Sequence, residues 1–178
     1  MSFLPKDYSL PESSSSFFKF QDGENRIRIL SDARIGFEGW KNSKPFRREE
    51  MVCSIKPEEV DIDEKYSKKP KINLFWAFKI WDYTDKQIKI ASITQKTVLR
   101  AIEALANDED WGDPLQYDIA ITKSKVGERT TYAVSPKPAK KLAKEIEDAL
   151  KDSDMSLDSL FGDKTVEDAE ADEAFNNL

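Results

Sequence analysis

Histidine is absent from this chain of 178 residues, and cysteine occurs once, as Cys53. The missing histidine excludes His-based zinc sites, the Ser-His-Asp and Cys-His pairings, and the commonest general base. A single cysteine excludes an internal disulfide, and no Gly-rich phosphate loop of the Walker type is present. We therefore expect a protein that is not an enzyme and needs no metal and no cofactor. A carboxylate–metal nuclease stays open as an alternative, because it requires only Asp and Glu.

Long apolar runs are also missing from the sequence. None approaches the ~20 residues that are needed to span a bilayer. The opening residues, 1–7, lack the apolar core of a signal peptide. We expect a cytoplasmic protein with no membrane partner.

Charge is plentiful but unevenly distributed along the chain. There are 28 Lys and Arg residues against 34 acids, a net charge of −6. From Asp152 to Leu178 nine acids face one lysine, a net of −8, which leaves residues 1–151 with 27 bases, 25 acids and a net of +2. The acidic balance therefore describes a tail, and the preceding body is slightly basic.

The stretch from Lys71 to Tyr83 is rich in aromatic and β-branched residues, which predicts a strand. Alternate side chains of a strand point to opposite faces. One face is apolar and is predicted to be core: Ile72, Leu74, Trp76, Phe78 and Ile80. The other face mixes rings with charge: Lys71, Asn73, Phe75, Lys79, Trp81 and Tyr83. Rings beside positive charge are typical of a surface that binds single-stranded nucleic acid.

The remaining pattern predicts a mainly β protein. Alternating apolar residues predict further strands at 25–30, 34–40, 86–93, 115–123 and 129–135, and helical spacing predicts helices at 94–107 and 139–150. Five or more strands, with one helix before the last two, favour an OB-fold, a five-stranded Greek-key barrel. Here it would carry an inserted helix and a C-terminal helix. Another small antiparallel barrel or an α+β sheet stays open.

Composition divides the chain into three parts. We expect a flexible N-terminal arm at residues 1–16, the OB-fold domain at 17–150 and a disordered acidic tail at 151–178. Apolar residues within the tail, Phe161, Phe175 and Leu178, are predicted to dock on other proteins. The loop at 41–70 is too long to be a simple connection, and its role stays open.

The predicted nucleic-acid interface is the outward face of the strands in an OB-fold. Its candidate residues are Arg26, Arg28, Trp40, Phe75, Lys79, Trp81, Tyr83 and Lys89. Aromatic rings stack bases without reading their identity, and Lys and Arg neutralise phosphates. The alternative is that the rings are buried on both faces of the sheet, with the helix at 139–150 covering the second face.

The folded part opens with Gly23-Glu24-Asn25-Arg26-Ile27-Arg28-Ile29-Leu30, followed by Ile35-Gly36-Phe37-Glu38-Gly39-Trp40. This opening resembles that of bacteriophage single-stranded DNA-binding proteins. The acidic tail with an apolar end is similar to the tails of the phage and bacterial proteins. The resemblance implies an OB-fold that coats single strands in replication and recombination in the host cytoplasm. It also implies a tail that recruits polymerase, primase or helicase.

Two features depart from that family. The absence of histidine and the single cysteine differ from members that hold a structural zinc. The chain ends in Phe175-Asn176-Asn177-Leu178 and not in the Pro-Phe of bacterial versions. The rival function is a protein-interaction module whose acidic tail mimics DNA and occupies a host protein. RNA binding is a variant of the main hypothesis, since stacking and phosphate contacts do not detect the 2′-OH.

Overall fold

The computed structural model describes residues 16–161. Within this range the chain forms seven strands and two α-helices. The strands are β1 Gly23–Ile29, β2 Arg34–Lys41, β3 Lys44–Arg48, β4 Ile72–Asp82, β5 Gln87–Ile93, β6 Asp118–Val126 and β7 Arg129–Pro136. The helices are α1 Lys96–Ala106 and α2 Lys144–Asp152. Short 3₁₀ turns lie at Pro57–Glu59, Pro114–Gln116 and Leu157–Leu160.

All seven strands belong to one antiparallel sheet that is organised around β4. The strand order is β3-β2-β4-β1-β6-β7, and β5 pairs with β4. Both β1 and β2 pair with β4, at Ile29↔Ile80 and Arg34↔Ala77. Between these pairs, the four residues 30–33 lie opposite only two residues of β4, Phe78 and Lys79. Strands β1 and β2 therefore pair with the same edge of β4 and are separated by a bulge. Such a bulge bends the strand and increases its twist.

The main core lies between the inner face of the sheet and α1. Ile27, Phe78, Ile80, Ile119 and Ile121 are almost fully buried there. Helix α1 contributes its apolar stripe of Val98, Leu99 and Ile102. This arrangement confirms Phe78 and Ile80 of the predicted core face of β4, and Leu74 and Trp76 are partly buried against the same cluster. Ile72, the fifth residue of that predicted face, is half-buried and lies outside the cluster.

The space between β5 and β7 is occupied by residues near the start of the described chain. Phe18 donates its backbone N–H to Ile90 at 2.9 Å. Phe20 lies with its ring centroid 5.1 Å from that of Phe18 and 5.1 Å from that of Tyr132 on β7. The sheet is therefore open along this side, and the five-stranded Greek-key barrel that the sequence predicts is not shown as closed.

The outer face of the sheet is covered by α2 and by the segment after it, residues 153–161, which we call the C-terminal strap. Ile146 of α2 packs on Trp81 and Ile88. Leu157 and Leu160 of the strap pack on Phe75, Ala77 and Ile90. The apolar residues of the strap supply the burial that holds it in place.

Helix α2 starts five residues later than the sequence pattern predicts. Residues 137–143 lie along the start of β6. There the backbone N–H of Lys137 donates to the backbone carbonyl of Asp118, and that of Lys140 donates to the backbone carbonyl of Gln116. These hydrogen bonds replace the ones that a helix would make in this segment. Residues 151–161, predicted to be part of a disordered tail, complete α2 and form the strap.

The N-terminal arm and the rest of the acidic tail, including Phe175 and Leu178, lie outside the described residues. No helix between residues 16 and 161 is long and apolar enough to cross a membrane.

Candidate nucleic-acid interface

The aromatic side chains predicted to stack bases on β4 are buried. Phe75 is 0% exposed and Trp81 is 4% exposed. Phe161 of the strap stacks on Phe75 at a centroid distance of 5.6 Å, and the guanidinium of Arg47 lies 5.5 Å from the centre of the same ring. In this conformation neither Phe75 nor Trp81 offers a ring face to a ligand.

Glycine 36 permits the close approach of strands beneath the strap. A Cβ at this position would lie 2.6 Å from the carbonyl oxygen of Arg48 and 2.9 Å from Cζ of Phe75. Only glycine leaves that space, so Gly36 positions Phe75 under its cover.

Lys89 lies on the inner face of the sheet, opposite to the predicted one. It pairs in register with Ile80, whereas Trp81 pairs with Ile88, and paired residues share a face. Its ammonium donates to Asp82 at 2.9 Å and also to Asp85. Burial alone lowers the pKa of Lys89, but the two carboxylates outweigh it and raise the pKa overall. Lys89 therefore serves an internal ion pair, and its charge is not available to phosphate.

Lys79 is a half-buried residue of the outer face, beside the bulge between β1 and β2. Its N–H donates to the hydroxyl of Ser31 at 2.9 Å, and its carbonyl accepts from the N–H of Leu30 at 2.9 Å. These backbone contacts fix the bulge, and the described part of the chain supplies no ion-pair partner for its ammonium.

Arg26, Arg28 and Tyr83 meet at the far end of β4, around the buried carboxylate of Asp118. Asp118 is 0% exposed. Its Oδ2 accepts from Nε of Arg26 at 3.1 Å and from Nη2 of Arg26 at 2.6 Å. Its Oδ1 accepts from Nη1 of Arg28 at 3.3 Å and from the hydroxyl of Tyr83 at 2.9 Å. We call these residues, together with Lys140, the Asp118 hub.

Lys140 completes the hub from the segment before α2. Its Nζ lies 2.9 Å from Oδ2 of Asp118. Arg28 is 3% exposed and also donates to the carbonyls of Leu115 at 3.0 Å and Lys140 at 2.9 Å. The hub therefore joins β1, β4, β6 and the segment leading to α2.

The hub contains three cations and one carboxylate. Burial raises the pKa of Asp118, but hydrogen bonds from Lys140, Arg26 and Tyr83 outweigh it and lower the pKa overall. Burial, and then the hydrogen bond to Asp118, raise the pKa of Tyr83 to about 12. Asp118 is thus ionised and Tyr83 is neutral at pH 7, which leaves cationic charge in excess around the carboxylate.

Part of that excess charge faces solvent. The side chains of Arg26 and Lys140 are 40% and 49% exposed. Their charged groups lie 4.9 Å and 5.6 Å from the centre of the half-buried Tyr83 ring. Glu24 is a nearby acid whose negative charge contributes to raising the pKa of Arg26. The hub thus presents two accessible cations beside an aromatic ring.

Trp40 lies at the other end of β4. It is half-buried near the end of β2 and lines a groove with residues of the loop that follows β3. The predicted interface is therefore divided into three parts in the structure. These are the Asp118 hub, the groove at Trp40, and Phe75 and Trp81 of β4, which the strap and α2 cover. Sequence reasoning missed Asp118 and Lys140, because 22 positions separate them and only the fold brings them together.

No protein-family model matches this chain, and comparison with curated proteins finds no significantly similar sequence.

Proposed function

We propose that this protein binds single-stranded DNA without sequence preference. The observation that carries the proposal is the Asp118 hub, where three cations surround one carboxylate and two of them remain accessible beside Tyr83. Accessible cations neutralise backbone phosphates, and an adjacent ring adds a stacking surface. Both contacts ignore the identity of the base.

The buried carboxylate gives the hub a fixed geometry. Arg26 is held by two hydrogen bonds to Asp118, and Lys140 is held by an ion pair to the same oxygen. Side chains that are already ordered lose less conformational entropy when a ligand binds. The same contacts leave further N–H donors on both cations for phosphate oxygens.

We further propose that the domain is a variant of the OB-fold. An OB-fold is a partly open Greek-key barrel of five strands. The pairings β5–β4–β1–β6–β7, with α1 before the last two strands, support this assignment. The remaining gap between β5 and β7 would then be the open side, filled by Phe18 and Phe20.

In this proposal the protein coats single strands during phage replication and recombination. The acidic residues after 161, with Phe175 and Leu178, would recruit replication proteins such as polymerase, primase or helicase. Phe161 would have a different role from the predicted one, because it is packed on Phe75.

The test is fluorescence anisotropy with a labelled oligo-dT and with duplex DNA, each at low and high salt. We expect the full chain to bind oligo-dT in preference to duplex, and more weakly at high salt because counterions are released on binding. The variant Arg26→Gln/Lys140→Gln should bind less tightly. The control Lys96→Gln/Arg100→Gln changes the net charge equally on the exposed face of α1.

Each outcome decides one point. Absence of oligo-dT binding by the wild-type chain would overturn the proposed function and favour a protein-interaction module. Binding that is equally reduced in both double variants would show a general charge effect and remove the hub as the contact.

A further inference from the structure

The loop after β3 builds a groove against the end of β2. The groove has a volume of about 500 Å³, and Trp40, Lys69, Lys71 and Asn73 line it. The sequence left the role of this loop open. Its contacts within the described chain show how it is held and which groups it offers.

Asp61 anchors the loop to the hairpin between β2 and β3. Its carboxylate accepts from the backbone N–H groups of Asn42 at 3.1 Å and Ser43 at 2.9 Å, two residues with positive φ angles of 50° and 63°. Its own N–H donates to the carbonyl of Trp40 at 2.6 Å, and its carbonyl accepts from the N–H of Lys71 at 2.8 Å. One residue therefore fixes Trp40 and Lys71 as neighbours.

Asp63 closes the rest of the loop. Its carboxylate accepts from the N–H groups of Tyr66 at 3.1 Å and Ser67 at 3.2 Å, and its carbonyl accepts from the N–H of Lys68 at 2.7 Å. Its N–H donates to the carbonyl of Lys69 at 2.8 Å. These backbone contacts hold Lys69 at the groove and place Tyr66, which is 78% exposed, at the tip.

The groove region carries more positive than negative charge. Residues 40–45 and 61–73 contain six lysines and three acids, which leaves three positive charges in excess. The carboxylates of Asp61 and Asp63 are occupied by backbone amides, which lower the pKa of both groups. Both carboxylates are therefore ionised, and the positive charge of these residues is in excess even when they are counted.

We propose that this groove holds one unpaired nucleotide of a bound single strand. The ring of Trp40 would stack on the base, and Lys69 and Lys71 would contact the flanking phosphates. A half-buried indole that lines the same groove as Lys69 and Lys71, in a concavity large enough for a base, combines the two contacts that a single strand requires. The proposal rests on the proposed function for its ligand and adds a second contact point, at the end of β4 away from the hub.

The first experiment distinguishes the stacking contribution of the Trp40 ring from its fluorescence signal. Trp40→Phe keeps an aromatic face but removes the indole, so it should bind oligo-dT close to wild-type affinity and lose most of the tryptophan quenching. Trp40→Ala should weaken binding by roughly 5- to 150-fold, the range of one base-stacking contact. The control is Trp111, which is 38% exposed in a loop and packs edge-on to Tyr117. Trp111→Phe should keep the quenching.

The second experiment concerns the lysines. Lys69→Gln/Lys71→Gln should weaken oligo-dT binding and reduce the slope of log K against log salt by about 1.4, the value for two single-strand phosphate contacts. The control Lys96→Gln/Arg100→Gln should leave the slope unchanged.

The outcomes separate this proposal from the proposed function. Failure of the wild-type chain to bind oligo-dT overturns both. Wild-type binding with unchanged affinity in Trp40→Ala, or with full quenching in Trp40→Phe, overturns the groove alone and leaves the hub as the contact.

Discussion

Phe75 and Trp81 on β4 and Trp40 beside the beginning of that strand share the same sequence character, an aromatic ring near lysine. Their surroundings differ. Phe75 and Trp81 are buried beneath the strap and α2, whereas Trp40 lines an open groove. An aromatic residue beside a lysine is therefore accessible from solvent only where no other part of the chain packs on it.

The difference follows from what the neighbouring segments carry. The strap and α2 present apolar side chains, including Ile146, Leu157 and Leu160, which gain free energy by covering Phe75 and Trp81. The loop beside Trp40 instead presents lysines, whose ammonium groups lose free energy when they are buried unpaired. Apolar segments close one region, and charged segments keep the other open.

The largest expected effect is on stability in the covered region. Trp81→Ala should lower the free energy of unfolding by about 4 kcal/mol, because it leaves a cavity under α2. Trp40→Ala should lower it by about 1 kcal/mol, because the side chain is only half-buried. Urea denaturation followed by circular dichroism measures both. Equal losses in the two variants would remove the distinction between a covered and an open region.

The next effect tests the hub as a structural anchor. Asp118→Asn should lower the free energy of unfolding by about 3 kcal/mol, because Arg28 would remain buried without a countercharge. The folded-state pKa of Asp118 is lowered, so its charge stabilises the fold above the unfolded pKa of about 3.9. That contribution is lost as the pH falls through the folded value.

Acid denaturation checks the sign of this effect. The difference in unfolding free energy between wild type and Asp118→Asn should be full at pH 7 and should narrow as the pH falls below about 4. A difference that stays constant down to acidic pH would mean that the Asp118 charge does not stabilise the fold.

A smaller loss of stability is expected when only the packing of the C-terminal strap is weakened. Leu160→Ala should cost about 2 kcal/mol, at the low end for a buried leucine, because the strap lies at the surface. The matched variant Leu105→Ala acts on the other face of the sheet, where Leu105 of α1 is only partly buried. Urea titration of both, with oligo-dT binding measured in parallel, shows whether uncovering Phe75 adds a stacking surface. We expect no gain in affinity.

Sequence periodicity was sufficient for most of the sheet. The apolar face of β4, the β4–β5 and β6–β7 hairpins and the apolar stripe of α1 all follow from local alternation and helical spacing. Local spacing could not place Lys89, because its face depends on the register between β4 and β5. It also could not delimit α2, whose start is displaced by hydrogen bonds from residues 137–143 to the region of β6.

The sequence by itself determined the mainly β architecture, the two-faced central strand and the asymmetry between a slightly basic body and an acidic end. These features depend on residues that are neighbours in the chain. Tertiary structure alone decided which rings are buried, which lysines are paired and which distant residues meet at Asp118. Burial and charge pairing depend on contacts between segments far apart in the chain, and no local pattern encodes which segment will cover which face.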